Sequence, residues 1–396
     1  MLRGFTRLTN YGASRTMHGQ GPHNVESSTL YGTVSQRDEL GQTSVLSAPP
    51  PLAMHWADRA TGRVLARTKM FDAGFGDVSA LERMRDDHEL FGAAPDVPLE
   101  AALAHAVSLP QVPGLRPRAT EGIALRELSW HSEAVDPRFE APVRRARALL
   151  LVGGRSPANT TTLDPSTPLC IAMAASGEEG YARRAKVLAP LVRAGLDALV
   201  LENPFYGARR RPGQRSARLP TVYEQFHMNH ASVLEALGLL RGLRALPGMA
   251  NKPLGLLGYS MGGFMVCLAA SAFESPLALV PVAAGRSPRS VYLDGALSWA
   301  VDFRSLERER ADARVFLGDL FESTARHLRP PVDGSSVVLT AAERDGFVFP
   351  GETDQLLREW PGASLRRYRG GHTHVFTAFD GHVRRAVRDA FAELAC

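Results

Sequence analysis

A serine between two glycines is the feature of the sequence best suited to covalent chemistry. Ser260 lies in the pattern Gly258-Tyr259-Ser260-Met261-Gly262, after an apolar stretch that predicts a strand and before one that predicts a helix. On so tight a turn, a side chain at either glycine would collide with the neighbouring strand or helix. The turn would expose the Ser260 hydroxyl as a nucleophile. It would also place the Met261 N–H at a helix N-terminus, where it can donate to a developing oxyanion.

A serine nucleophile needs a base, and the base needs an acid that orients it. For a nucleophile on a strand-to-helix turn, the acid follows the serine in the chain and the base follows the acid. We expect the acid in the loop after the predicted strand that ends at Thr340. Asp345 is favoured there because Gly346 suits a sharp turn that presents the preceding side chain, and Glu343 is the alternative.

The base is expected in the loop after the last strand. His372 directly follows the flexible pair Gly370-Gly371 and is therefore favoured, whereas His374 is the alternative. A second oxyanion donor is expected in the loop after the strand that ends at Ala174. Small residues there allow close approach of a backbone N–H, so Ser176 or Gly177 is the candidate donor. The adjacent Glu178-Glu179 pair is interpreted as the acidic start of a helix rather than as metal ligands.

Strands and helices alternate from Ile123 to the C-terminus. This alternation predicts an α/β fold with a mostly parallel central sheet and helices on both faces, the first two strands pairing as an antiparallel edge. Strands are predicted at Ile123–Trp130, Ala146–Val152, Pro168–Ala174, Leu196–Leu201, Pro253–Gly258, Leu277–Val282, Ser335–Thr340 and Ala363–Tyr368, and helices at Tyr181–Ala194, Thr221–Leu246, Gly262–Phe273 and Gly381–Leu394.

A longer motif links the chain to a known family. The stretch Leu201-Glu202-Asn203-Pro204-Phe205-Tyr206-Gly207-Ala208-Arg209-Arg210-Arg211-Pro212 resembles the L-E-N-P-[FY]-Y-G-x-R-[KR]-P signature of the alpha/beta hydrolase domain-containing protein 18 family. Further matches are Ser176-Gly177-Glu178 with Arg183-Arg184, the serine motif extended by Gly263, and Trp360-Pro361-Gly362 leading to Gly370-Gly371-His372.

The resemblance implies an α/β-hydrolase fold, a Ser260–Asp345–His372 triad and a lipid or other acyl-ester substrate. Two of the departures from the family pattern concern the acid loop and the lid. The acid loop, Asp345 to Pro350, is one residue longer than usual before the proline, and the insertion between Asp302 and Asp333 is short. The second departure predicts a short lid.

The chain divides into three predicted parts. Residues 1–48 form an Arg-rich, weakly ordered tail, residues 49–118 an N-terminal extension without recognised chemistry, and residues 119–396 the hydrolase domain with a lid candidate at 286–333. Arg3, Arg7 and Arg15 occur with no acidic residue before Glu26, which is typical of a mitochondrial presequence. Plastid and cytoplasmic locations are the alternatives.

Composition narrows the function classes. The 396 residues are 44% hydrophobic and 22% charged, with 46 basic and 41 acidic side chains, a balance typical of a globular protein. The arginines are scattered and do not interleave with aromatics, so nucleic acid is not an expected partner. None of the three cysteines has the spacing of a metal site or redox pair, and neither a metal nor a cofactor is expected. Peripheral contact with a membrane is compatible with a lipid substrate.

Three hypotheses of function follow. The first is a serine hydrolase that cleaves an acyl ester, expected to be lipid-like, through an acyl-enzyme. The second is an acyltransferase on the same triad, in which an alcohol replaces water as the acceptor. The third is a non-catalytic binding protein with a hydrolase fold, which the presence of serine, aspartate and histidine in the required order disfavours.

Overall fold

The computed structural model describes residues 54–153 and 163–394. The predicted presequence, with Arg3, Arg7 and Arg15, lies outside these residues. Within the described ranges, no helix has both the length and the apolar character needed to cross a lipid bilayer.

A nine-stranded sheet forms the centre of the fold. Its strands in chain order are β1 (Val107–Ser108), β2 (Ile123–His131), β3 (Arg145–Gly153), β4 (Leu169–Met173), β5 (Asp197–Glu202), β6 (Leu254–Tyr259), β7 (Ala278–Val282), β8 (Ser336–Ala342) and β9 (Ser364–Tyr368). Their spatial order is β1-β2-β3-β5-β4-β6-β7-β8-β9. The neighbours from β5 to β9 run parallel, whereas β1, β2, β3 and β5 pair antiparallel. The predicted mostly parallel sheet is confirmed, as is the antiparallel pairing of its first two predicted strands.

Thirteen α-helices are present in the described residues: α1 (Trp56–Leu65), α2 (Val78–Asp86), α3 (Leu99–Ala104), α4 (Ala141–Arg144), α5 (Ala182–Arg193), α6 (Val222–Ala245), α7 (Met261–Ser271), α8 (Arg289–Leu293), α9 (Phe303–Glu309), α10 (Ala313–Ala325), α11 (Pro350–Glu359), α12 (His372–Thr377) and α13 (Asp380–Leu394). The longest, α6, begins where the Thr221 side chain accepts a hydrogen bond from the Glu224 N–H, the usual device for satisfying a first-turn amide.

Helices cover both faces of the sheet. Strands β4 to β8 are buried throughout, as expected for continuous apolar runs in a parallel sheet. Helices α6, α7 and α11 contribute to the apolar core on one face, and α5 and α13 to the core on the other. The α/β-hydrolase fold expected from the sequence is therefore present.

A third apolar core lies above the carboxyl ends of the strands. It joins two segments that are distant in the chain, residues 71–81 and residues 292–321, with the start of α6. The rings of Phe75 and Phe316 meet edge to face at 5.3 Å, and those of Tyr292 and Phe321 stack at 4.1 Å. The lid candidate at 286–333 therefore contains α8, α9 and α10 and packs against the N-terminal helices, to which the sequence analysis assigned no chemistry.

Candidate active site

The turn between β6 and α7 holds Ser260 in a conformation that is rare for a residue with a side chain. Its φ is +53° and its ψ is −115°. A Cβ on Gly258 would lie 2.0 Å from the carbonyl oxygen of Gly262, and a Cβ on Gly262 would lie 2.6 Å from the carbonyl oxygen of Ala174. Only glycine fits at both positions, so the G-x-S-x-G pattern is required by backbone packing. Strain of this kind persists when the surrounding structure fixes it, and it is concentrated at active sites.

His372 is the partner of the Ser260 hydroxyl. It is the first residue of α12, separated from the end of β9 by three residues, and only 6% of its surface is exposed. Its Nε2 lies 2.9 Å from the Ser260 Oγ. The ring is held between aromatic neighbours, with the Phe347 ring stacked at 5.0 Å and the Phe376 ring at 5.6 Å. This packing fixes the plane of the imidazole toward the serine.

Asp345 completes a continuous chain of hydrogen bonds. Its Oδ2 lies 2.7 Å from His372 Nδ1, and its Oδ1 accepts from the N–H groups of Phe347 and Val348 at 2.9 and 2.8 Å. The carboxylate is 4% exposed. The two backbone donors fix the carboxylate, which in turn selects the imidazole tautomer with its proton on Nδ1.

The structure does not bring the two alternative residues into this chain. Glu343 lies just beyond β8 and is exposed, with its N–H bonded to the carbonyl of Tyr368. His374 lies on the next part of α12, where its ring meets the His55 ring edge-on at 4.5 Å and its Nδ1 accepts from the Gly371 N–H at 3.4 Å. Ser260, His372 and Asp345 are thus the predicted residues that come together.

The candidate oxyanion donors lie on two adjacent segments. The Met261 N–H belongs to the first turn of α7, whose amides have no partner within the helix and point toward the positive end of the helix dipole. Met173 of β4 pairs with Gly258 of β6, so the loop after β4 begins beside Ser260. Within that loop, the Gly177 N–H donates to the Tyr206 hydroxyl at 3.0 Å. In this structure the Gly177 amide is engaged by that bond, so Ser176 is favoured of the two predicted donors in the loop.

The Leu201–Pro212 motif fixes the loop that carries Ser176. The Glu202 carboxylate accepts from the Gly180 N–H at 3.1 Å, and Glu179 accepts from the Gly207 N–H at 3.0 Å. Tyr206 supplies the third link between the two segments. The motif and the loop therefore hold one another in place through these three hydrogen bonds.

The two acidic residues of that loop have separate structural roles. Glu178 pairs with the buried Arg184 at 2.9 Å and accepts from the Ala175 N–H, whereas Glu179 pairs with Arg210. They do not converge on a common point. Among the residues that the structure describes, no group of three or more His, Cys, Asp or Glu side chains is arranged to hold a metal ion.

Burial and charge shift the pKa values of the acid and the base. Burial raises the pKa of Asp345, and the charge and hydrogen bond of His372 oppose this rise. Burial alone would lower the pKa of His372, but the Asp345 carboxylate and the negative charge of Asp58 more than compensate, so that pKa is raised. A positive charge on the imidazole is thereby stabilised, as a base that takes the serine proton requires.

Asp58 of helix α1 is a site residue that the sequence analysis missed. It is completely buried, and its carboxylate accepts hydrogen bonds from the backbone N–H groups of Gly346, His372 and Thr373. No local signal identifies it, because the stretch around it is an ordinary amphipathic helix. A buried aspartate could have been suspected only from its position on the apolar side of that helix.

Solved structures of other proteins share this fold. Acetyl xylan esterase 1 from Thermoanaerobacterium sp. superimposes with a TM-score of 0.51 at 12% identity, covering 84% of this chain and 98% of that one. An acetyl xylan esterase from Paenibacillus sp. gives a TM-score of 0.52 at 13% identity, covering 83% of this chain and 98% of that one. At these identities the similarity shows a shared fold.

A family model matches one segment of the sequence. Residues 139–322 match the family model described as alpha/beta hydrolase domain containing 18. The matched segment contains Ser260 and the whole Leu201–Pro212 motif, and Asp345 and His372 lie beyond it. Residues 139–322 are thus similar to the alpha/beta hydrolase domain containing 18 family, and the fold of the chain is that of the α/β hydrolases.

Proposed function

We propose that the protein is a serine hydrolase that cleaves acyl esters through a covalent acyl-enzyme. The observation that carries this proposal is the continuous hydrogen-bond chain from the Ser260 hydroxyl through His372 to the buried Asp345, built on a strained turn. Nucleophile, base and orienting acid at such distances form the arrangement that activates a serine for acyl transfer.

The geometry supports a two-stage reaction. Ser260 Oγ attacks the carbonyl carbon of the ester while His372 Nε2 takes its proton, and the carbonyl oxygen becomes an oxyanion facing the Met261 N–H and the Ser176 loop. Collapse of this intermediate breaks the ester bond, and the imidazolium returns the proton to the departing alcohol. Water then attacks the acyl-enzyme with His372 as base, which releases the carboxylic acid and restores Ser260.

A lipid-like acyl ester is the proposed substrate class. The family resemblance implies such substrates, and the two structural neighbours named as acetyl xylan esterases are consistent with an ester bond as the target. The Phe347 and Phe376 rings that pack around His372 give the reacting group apolar surroundings. Peripheral contact with a membrane would bring such a substrate to the site.

Labelling by a fluorophosphonate probe tests the nucleophile directly. We expect the wild-type protein to be labelled and Ser260→Ala to be unlabelled, with kcat on p-nitrophenyl esters reduced on the order of 10³-fold or more. Ser129→Ala, which alters a serine on β2, is the matched control and should behave as the wild type. A wild type that reacts neither with the probe nor with esters of any chain length would overturn the proposal and favour a binding protein.

Product analysis separates hydrolysis from acyl transfer. Both reactions pass through the same acyl-enzyme, so labelling cannot distinguish them. With a long-chain ester and an added acceptor alcohol, a hydrolase releases the free acid. Accumulation of the new ester in place of the acid would assign the acyltransferase activity instead.

For the location, we propose mitochondrial targeting by the Arg-rich N-terminal residues. The supporting observation is the acid-free stretch with Arg3, Arg7 and Arg15. Residues 1–47 fused to a fluorescent protein should carry it to mitochondria, and replacing the three arginines by glutamine should abolish this. A diffuse cytosolic signal from the unaltered fusion would contradict the proposal.

A further inference from the structure

The loops that carry Asp345 and His372 both donate backbone hydrogen bonds to one buried carboxylate, that of Asp58 near the N-terminal end of the described residues. Asp58 lies in the first turn of α1 and has no exposed surface. Its Oδ2 accepts from the Gly346 N–H at 2.9 Å and from the His372 N–H at 2.7 Å, and its Oδ1 accepts from the Thr373 N–H at 2.8 Å. A buried charge is tolerated only when such hydrogen bonds replace the lost water.

These three donors belong to two separate loops. Gly346 directly follows the acid Asp345, whereas His372 is the base itself and Thr373 its neighbour. One carboxylate therefore links the backbone of the acid loop to the backbone of the base loop. The link is made at residues adjacent to the 2.7 Å contact between Asp345 and His372.

We propose that Asp58 is a positioning residue that holds the acid and base loops in register for proton transfer. The proposal rests on the proposed hydrolase function. Gly371 supports it independently. Its φ of −114° and ψ of −176° are open to any residue, yet a Cβ there would lie 2.3 Å from Asp58 Oδ2 and 2.6 Å from the His55 Cβ. The Gly-Gly pair before His372 thus gives α1 room to approach.

The charge of Asp58 also acts on the base. The ionisable groups that raise the pKa of His372 are Asp345 and Asp58, whereas Ser260, Phe347 and Phe376 are uncharged neighbours of its ring. His55, which shares its surroundings with Asp58, His374 and Arg344, has a lowered pKa because burial and the charge of His374 disfavour its protonated form. Asp58 is thus the second negative charge acting on the imidazolium that forms during catalysis.

A purely structural role would be the attachment of α1 to the hydrolase domain. That attachment has other contacts, however. The His55 N–H donates to the carbonyl of Arg344 at 3.2 Å, the hydroxyls of Thr61 and Thr373 lie 3.1 Å apart, and Gly62 packs against Trp299. Thr61 is therefore a matched control, because Thr61→Val removes an uncharged link between the same helix and the same loop.

Kinetics of the full-length chain form the first test. Asp58→Asn should lower kcat at least tenfold with little change in KM, and should move the pH midpoint of kcat/KM to lower pH. Thr61→Val should keep the wild-type values. Asp58→Glu keeps the charge but misplaces the acceptors, so it should lower kcat and retain the wild-type midpoint. If Asp58→Asn does not fold, Asp58→Glu alone tests the proposal. A wild-type kcat in Asp58→Glu would then overturn it.

A titration that needs no turnover forms the second test. In a Ser260→Ala background, NMR of the His372 ring should show a lower pKa when Asp58→Asn is added and no change when Thr61→Val is added. The role of Asp58 would be overturned if Asp58→Asn left the pKa of His372 and the kcat at their wild-type values. In that case reduced thermal stability would be the only effect of the substitution. Failure of the wild type to react with a fluorophosphonate would instead overturn the proposed function, and the NMR result would still stand.

Discussion

Gly262 lies against the backbone of the neighbouring strand end, where a Cβ would come within 2.6 Å of the carbonyl oxygen of Ala174 and 2.7 Å of that of Met173. This contact couples the first turn of α7 to the start of the loop that carries Ser176. The turn that carries Ser260 and the loop that carries Ser176 are therefore positioned by one close backbone approach, and a side chain at residue 262 would separate them.

Gly262→Ala should lower both stability and activity. The atoms it would meet are backbone atoms that cannot rotate away, and forced contacts of this type cost about 1–3 kcal/mol. Gly351→Ala is the matched control, because no atom lies within 4 Å of its Cβ position on α11 and alanine favours the helix by about 0.4–1 kcal/mol. Thermal unfolding and ester hydrolysis check both variants. A fully active Gly262→Ala would contradict the close approach.

The two histidines of the last loop should respond differently to substitution. His372→Ala removes the base and should reduce kcat about as much as Ser260→Ala, and the double variant should add little because the residues act as a unit. His374→Ala removes a contact with His55 and should leave most activity. Steady-state kinetics on one ester decide between them. An inactive His374→Ala beside an active His372→Ala would exchange the two roles.

Activity should depend on pH through a base with a raised pKa. His372 must be neutral to take the serine proton, so kcat/KM should increase as the pH rises through the pKa of the free enzyme. Because that pKa is raised, the midpoint should lie above the ordinary histidine value of about 6.5. A profile of kcat/KM between pH 5 and 9 tests this, and a midpoint well below 6 would show that burial outweighs the two carboxylates.

Tyr206→Phe tests whether the Tyr206 hydroxyl positions the loop that carries Ser176. The variant removes the acceptor of the Gly177 N–H, a hydrogen bond worth about 1 kcal/mol, and should lower kcat on the order of tenfold by loosening the Ser176 loop. KM should change less than kcat because the loop acts on the transition state. An increase in kcat would show that the released Gly177 amide is itself the better oxyanion donor.

The sequence predicts the parts of the fold and site that depend on local patterns. The apolar runs locate the strands, and the glycine spacing around Ser260 locates the nucleophile because its turn excludes other side chains. Chain order directs attention to the two loops that contain Asp345 and His372. The choice between Asp345 and Glu343 depends on the direction in which the loop turns after β8. The amides of Phe347 and Val348, which donate to the Asp345 carboxylate, fix that direction.

Contacts between distant segments are not available from such patterns. The Gly177 N–H donates to the Tyr206 hydroxyl. The small residues of its loop alone suggest that this amide is available to bind an oxyanion. In the sequence alone, Asp58 resembles any acidic residue in the first turn of a helix. Its contact with His372 becomes visible only when the N-terminal and C-terminal segments are brought together in space.

The bond between Asp58 and the His372 N–H spans 314 positions of the sequence, and it has a consequence for biosynthesis. During translation, α1 emerges from the ribosome long before β9 and α12 have been made, and N-terminal regions generally fold first. The carboxylate must wait for this donor, because His372 is synthesised 314 residues after Asp58. Nascent and C-terminally truncated chains therefore lack the hydrogen-bond chain from Ser260 through His372 to Asp345, which forms only once the last strand and helix α12 have been made.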